Sequence, residues 1–121
     1  MPGVVGIGAR LSLKRGDQMN VTFLLEDQTL PSRAWVPADL TLASNAKLFV
    51  KDAISGSALI SNGSLTLQDP ANGLVRYHFT SAETATIGLY NGEIQVTFSN
   101  GDIRTYPPGG YIAIEIVQDL G

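Results

Sequence analysis

Apolar residues recur at every second position along most of this chain, and clusters of turn-forming residues break the alternation at intervals of roughly 8–12 residues. Arg10-Leu11-Ser12-Leu13-Lys14 predicts a first strand, ended by Arg15-Gly16-Asp17. Met19 to Leu25 predicts a second, with Met19, Val21, Phe23 and Leu25 on one face. Ala46 to Asp52 predicts a third, with Lys47 and Lys51 turned to solvent. A turn at Ser55-Gly56-Ser57 leads to Ala58-Leu59-Ile60, and Asn62-Gly63 leads on to Leu65-Thr66-Leu67. Asp69-Pro70-Ala71-Asn72-Gly73 is a strong turn, because Pro70 presets φ and Asn72 or Gly73 can supply a left-handed residue. A strand over Leu74 to Phe79 follows.

The clearest unit is a hairpin over residues 89–106. Tyr90, Gly92, Ile94, Val96 and Phe98 share one face, and Ile103 to Tyr106 returns antiparallel. Asn100-Gly101 fits a type I′ turn, whose two central residues both need positive φ. Before it, Thr80-Ser81-Ala82-Glu83 has capping-box spacing, but Gly88 leaves space for only a turn or so of helix. After it, Pro107-Pro108-Gly109-Gly110 forces a kink, and Tyr111 to Val117 closes the domain with Ile112, Ile114 and Ile116 facing the core. No helix-period segment is long enough to cover a parallel sheet, so the pattern predicts an all-β sandwich or small barrel of antiparallel strands.

Two segments escape the alternation. Residues 1–9 mix Gly with small aliphatics, and each Gly leaves its φ nearly free. They read as an extended arm ahead of a single domain at 10–121, either a frayed terminus or an arm that orders against a neighbouring subunit and covers Val4, Val5 and Ile7. Glu26 to Asp39 reads as a loop of 14 residues carrying Pro31, Pro37 and the only Trp, Trp35. Loops of that length inside compact domains usually have a task.

Composition narrows the function classes. A length of 121 residues suits one domain, and 44% hydrophobic with 16% charged residues suits a globular one. Without cysteine there is neither a disulfide framework nor a thiolate metal site. Eight basic and eleven acidic residues are scattered singly for a net charge of −3, which gives no electrostatic footprint for nucleic acid. The N-terminus has no signal-peptide pattern, and no window approaches the ~18 apolar residues of a membrane span. Synthesis in the cytoplasm as a soluble protein, with no membrane partner, is the expectation.

Candidate chemistry is sparse. The only histidine, His78, sits mid-strand in alternation with Arg76 and Thr80 and reads as an outward residue. A Ser-His-Asp triad has no Gly-x-Ser-x-Gly elbow to rest on, and zinc has too few ligands. Asp17, Asp52, Asp69 and Asp102 each sit in a turn, where such side chains ordinarily bond the backbone. Glu93 and Glu115, both on predicted strands, are the candidates for a glycosidase-type carboxylate pair, although a solvated surface role fits Glu93 better. Gly6-x-Gly8 follows no strand and makes no phosphate loop. Among the aromatics, Trp35 reads as a lid over one end of the sandwich, an interface anchor or a sugar platform, and Tyr106 and Tyr111 bracket the Pro-Pro-Gly-Gly kink. No catalytic, cofactor-binding or metal-binding residues are expected.

Several segments in shared order carry a resemblance. They are Leu13-Lys14-Arg15-Gly16-Asp17, then Ala38-Asp39-Leu40, Lys47 to Asp52, Asp69 to Phe79, Ala85 to Tyr90, Ile94 to Gly101 and Thr105-Tyr106-Pro107. Over residues 10–118 the chain resembles the N-terminal domain family of phage baseplate upper proteins. The resemblance implies an immunoglobulin-like β-sandwich built into a tailed-phage virion, joining other phage structural proteins by protein–protein contacts without catalysis. Virion symmetry would then imply a homo-oligomer, trimer or hexamer. The chain departs from the family where it ends at Gly121, without the long helical and receptor-binding-protein-holding regions, and in a longer loop around Trp35. A tail, baseplate or fibre adaptor is the leading expectation. A capsid decoration protein and a carbohydrate-binding module using Trp35 with Tyr106 or Tyr111 are the alternatives. The candidate contact residues are Val4, Val5 and Ile7 in the arm, Trp35 and Val36 in the loop, and Tyr106 and Tyr111 at the kink.

Overall fold

Alternating β-branched, aromatic and aliphatic side chains suit extended backbone that is buried on one side only. In the computed structural model, which describes residues 4–5 and 10–120, they form eleven strands. These are β1 (Val4–Val5), β2 (Arg10–Lys14), β3 (Met19–Leu24), β4 (Glu26–Gln28), β5 (Trp35–Pro37), β6 (Ala43–Asp52), β7 (Ala58–Asp69), β8 (Leu74–Phe79), β9 (Gly88–Phe98), β10 (Ile103–Tyr106) and β11 (Ile112–Val117).

One layer runs β1-β3-β8-β7 and the other β7-β6-β9-β11-β2, with β10 on β9 and with β4-β5 forming a separate two-stranded ribbon. The strand common to both layers is β7. Its first part pairs with β6 as far as Leu65, and its last part pairs with β8 from Thr66. Here the expected turn at Asn62-Gly63 is corrected, because the chain does not reverse. Ser61 and Asn62 together face Phe49, so the pair makes a bulge, with Asn62 left-handed at φ 57°. Asn tolerates that conformation, and a bulge adds the twist that lets one strand leave one layer for the other.

The hairpin of β9 and β10 is present, but its turn differs from the I′ expectation. Gly101 has φ 92°, whereas Asn100 is not among the positive-φ residues. The Phe98 carbonyl accepts from the Gly101 N–H at 2.9 Å, and the Asp102 carbonyl accepts from the Phe98 N–H at 2.8 Å. That is a three-residue loop, a type I turn closed by a left-handed Gly bulge. The Thr80 capping box does form: the Thr80 N–H donates to Glu83 Oε1 at 3.0 Å and the Glu83 N–H to Thr80 Oγ1 at 3.2 Å. It caps a single turn.

Inward residues of the two layers meet in one core, in which Phe23, Leu40, Leu48, Val50, Val75, Ile94 and Val96 are almost fully buried. Each contributes about 1.5–3 kcal/mol relative to exposure. Near the start of β9 the buried Tyr90 donates its hydroxyl to the Thr86 carbonyl at 2.9 Å. This is the corner tyrosine of immunoglobulin sandwiches, in which a cysteine follows two residues later. Gly92 stands there instead, and a Cβ on it would come 2.9 Å from Ile114 Cδ1. Packing by Ile114 therefore occupies the space of a disulfide half. With β2 also parallel to β11, the architecture is an immunoglobulin-like β-sandwich.

Candidate assembly surface

The expected 14-residue loop over Glu26 to Asp39 is corrected to a β-ribbon. Strands β4 and β5 pair antiparallel, Asp27 opposite Val36 and Gln28 opposite Trp35. The tip closes through the Thr29 N–H, which donates to the Ala34 carbonyl at 2.8 Å. The base is stapled to the 70–73 turn: the Leu25 N–H donates to the Gly73 carbonyl at 2.8 Å, the Ala38 N–H to the Leu25 carbonyl at 2.8 Å, and the Leu40 N–H to the Pro70 carbonyl at 2.8 Å. Leu25, Ala38 and Leu40 beside these bonds are core residues. The ribbon therefore projects from a rigid root.

Its middle is moored at Asp27. The Tyr106 hydroxyl donates to Asp27 Oδ1 at 3.0 Å from within, and Arg104 Nη1 lies 3.7 Å from Asp27 Oδ2 on the outside. Arg104 also sits 5.8 Å over the Phe98 ring. Burial, and secondarily the bond to Asp27, holds the Tyr106 phenol above the ordinary tyrosine range. The Asp27–Arg104 pair is open to solvent and contributes well under about 1 kcal/mol. The buried Tyr106 contact is the stronger tie.

This arrangement corrects one expected contact residue. Tyr106 is 1% exposed and belongs to the core, because its register opposite Ile94 turns the ring inward. It offers no surface to a partner and no stacking face to a sugar. Trp35 and Val36 are partly exposed, Trp35 at 48%. Cross-strand partners share a face, so Val36 lies on the Asp27 side of the ribbon and Trp35 on the other. Tyr111, 59% exposed, lines a shallow groove with Phe49 and Ile54. Val4 and Val5 add as a short parallel strand against Thr22 and Phe23. Ile7 and the rest of the arm lie outside the described residues.

Sequence reasoning missed three exposed apolar side chains at the ribbon end, Leu30 at the tip and Leu42 and Ile103 beside it. Leu42 lines a shallow depression with Asp39, Phe98 and Arg104, and its carbonyl accepts from the Ser99 N–H at 2.8 Å. The short apolar pair Trp35-Val36 facing Glu26-Asp27-Gln28 across six intervening residues was the available signal for a ribbon.

The candidate chemistry is dispersed. His78 is exposed, with Nδ1 3.1 Å from Asn20 Oδ1. Glu115 stands opposite Leu89, four residues along β9 from Glu93. That spacing separates the two carboxylates by about 14 Å, beyond the roughly 5–9.5 Å of a glycosidase pair. Asp52 accepts the N–H groups of Ile54 and Ser55, both at 2.9 Å, and those bonds hold its carboxyl below the usual range.

No protein-family profile matches the chain, and no curated protein does. Among solved structures, the N-terminal domain of phage TP901-1 ORF48 is similar over 96% of this chain and 94% of that one, at 10% identity and a TM-score of 0.56. Murine CRIg aligns over 91% of this chain and 92% of its own, at 10% identity and a TM-score of 0.43. The likeness to the phage domain is one of fold. It runs the length of both chains.

Proposed function

We propose that this chain is a non-enzymatic structural protein of a tailed-phage particle, an adaptor at the tail or baseplate that binds its partner through the β4-β5 ribbon. The observation carrying this reading is the whole-length fold likeness to a phage N-terminal domain. The ordered segments between Leu13 and Pro107 that resemble baseplate upper proteins add to it. An adaptor needs a contact patch on a stiff mount. The ribbon supplies one, with Trp35 and Leu30 exposed on it and Asp27 and Gly73 fixed from behind. Exposed tryptophan is the residue type most often found at the energetic centre of an interface. A sugar platform fits less well, since Tyr106 is internal and Tyr111 lines a groove with Phe49 and Ile54 to which no ribbon residue contributes.

The test is Trp35→Ala, followed in purified particles by quantitative mass spectrometry and in parallel on a glycan array. The wild-type chain should copurify with particles. The variant should melt at the same temperature yet be incorporated at least about tenfold less, in line with loss of a central interface residue. Absence of the chain from particles would overturn the proposal. So would a variant that incorporates normally but loses glycan binding.

A further inference from the structure

The outer face of the β7-β6-β9-β11-β2 layer is a second surface, independent of the ribbon and of the phage reading. On one flank its charges are matched locally: Glu115 accepts from the Ser12 hydroxyl and lies 3.5 Å from Arg10 Nη1. The centre is different. Lys51 on β6 and Glu93 on β9 both project outward, and among the described residues neither has an opposite charge within 4.0 Å. Around them Phe49, Ile54 and Tyr111 line a shallow groove of about 330 Å³, with Ile54 92% exposed.

We propose that this face is a self-association interface, with a second copy of the chain docked about a two-fold axis that runs along the strands between β6 and β9. A two-fold interface must be complementary to itself. Such an axis lays β6 of one copy across β9 of the other. Lys51 is level with Asn91, and Phe49 with Glu93. In the pair, Lys51 of each copy therefore lies one pleat from Glu93 of the other, within reach of a lysine side chain. A basic strand beside an acidic one pairs unlike charges twice under this axis, while Phe49, Ile54 and Tyr111 exclude water from the contact.

The size suits a weak, reversible pairing. Under that axis the four strands β7, β6, β9 and β11 face the partner, and at about 4.8 Å apart and on the order of 25 Å long they present about 480 Å² in plan, to which side-chain relief adds. A standard stable interface takes about 800 Å² per partner.

Charge exchange tests the proposal by light scattering and sedimentation equilibrium on the full chain. The wild type should show a monomer–dimer equilibrium. Lys51→Glu or Glu93→Lys should each weaken it by about tenfold or more, because each places like charges together twice. The double exchange Lys51→Glu with Glu93→Lys should restore it. Unchanged melting temperatures would show that all three variants fold. A wild type that stays monomeric to ~1 mM, an assembly of odd copy number, single reversals without effect, or a double exchange that fails to restore pairing would each overturn it.

Discussion

At Tyr106 the local sequence and the tertiary register pull in different directions. Alternation along β10 puts Tyr106 on the same face as Arg104, and a charged neighbour beside two prolines reads as surface. Pairing with Ile94 decides otherwise and buries the ring, leaving Arg104 to reach around to Phe98 and Asp27. Only the partner strand carries that information, so the sequence could not show it. Tyr106→Phe keeps the packing and removes the bond to Asp27. The expected cost is about 1–2 kcal/mol, at the low end because solvent can reach the freed carboxylate. Thermal denaturation should show a midpoint lower by about 3–6 °C.

Among the elements, strands with one clean apolar face were legible: β2, β3, β6, β8, β9 and β11 fall where period-two alternation places them. Less legible was whatever depends on two distant segments meeting. The Asn62 bulge looks like a turn because Asn-Gly chemistry is the same in both, and only the opposing Phe49 distinguishes them. The β4-β5 ribbon is too short to show alternation at all. What fixes its root is Gly73, left-handed at φ 71°, where a Cβ would sit 2.5 Å from the Leu25 carbonyl oxygen and 2.9 Å from the Ala38 nitrogen. Gly101 is also left-handed but has nothing within 4 Å. Gly101→Ala should therefore cost only the backbone penalty of about 1 kcal/mol. Gly73→Ala must also move backbone and should cost more than about 3 kcal/mol. Urea denaturation of the two variants measures the contrast, and equal losses would mean that the ribbon root is not fixed at Gly73.

For the molecule as a whole, the fold class was readable from spacing, whereas the candidate contact surfaces were only partly so: Trp35 and Tyr111 stood out as aromatics, but the exposure of Leu30, Ile54 and Ile103 becomes visible only once the core has been assigned. The same core sets the response to pH. Burial raises the phenol pKa of Tyr77, Tyr90 and Tyr106, three of the four tyrosines. A raised native pKa means that the fold holds these protons more tightly than the unfolded chain does. That stability is intact below the unfolded value of about 10 and is lost as pH climbs from there through the native values. Denaturation midpoints should be flat from neutral pH to about pH 9 and fall above it, with phenolate absorbance rising together with unfolding. One further consequence lies in the parallel ladder from Arg10–Ala113 to Lys14–Val117. The chain enters β2 at one end of that ladder and leaves β11 at the other, so tension applied through the two termini slides the strands lengthwise past each other. Every rung is then strained at once instead of opening in sequence, which makes the sandwich a stiff link under pull.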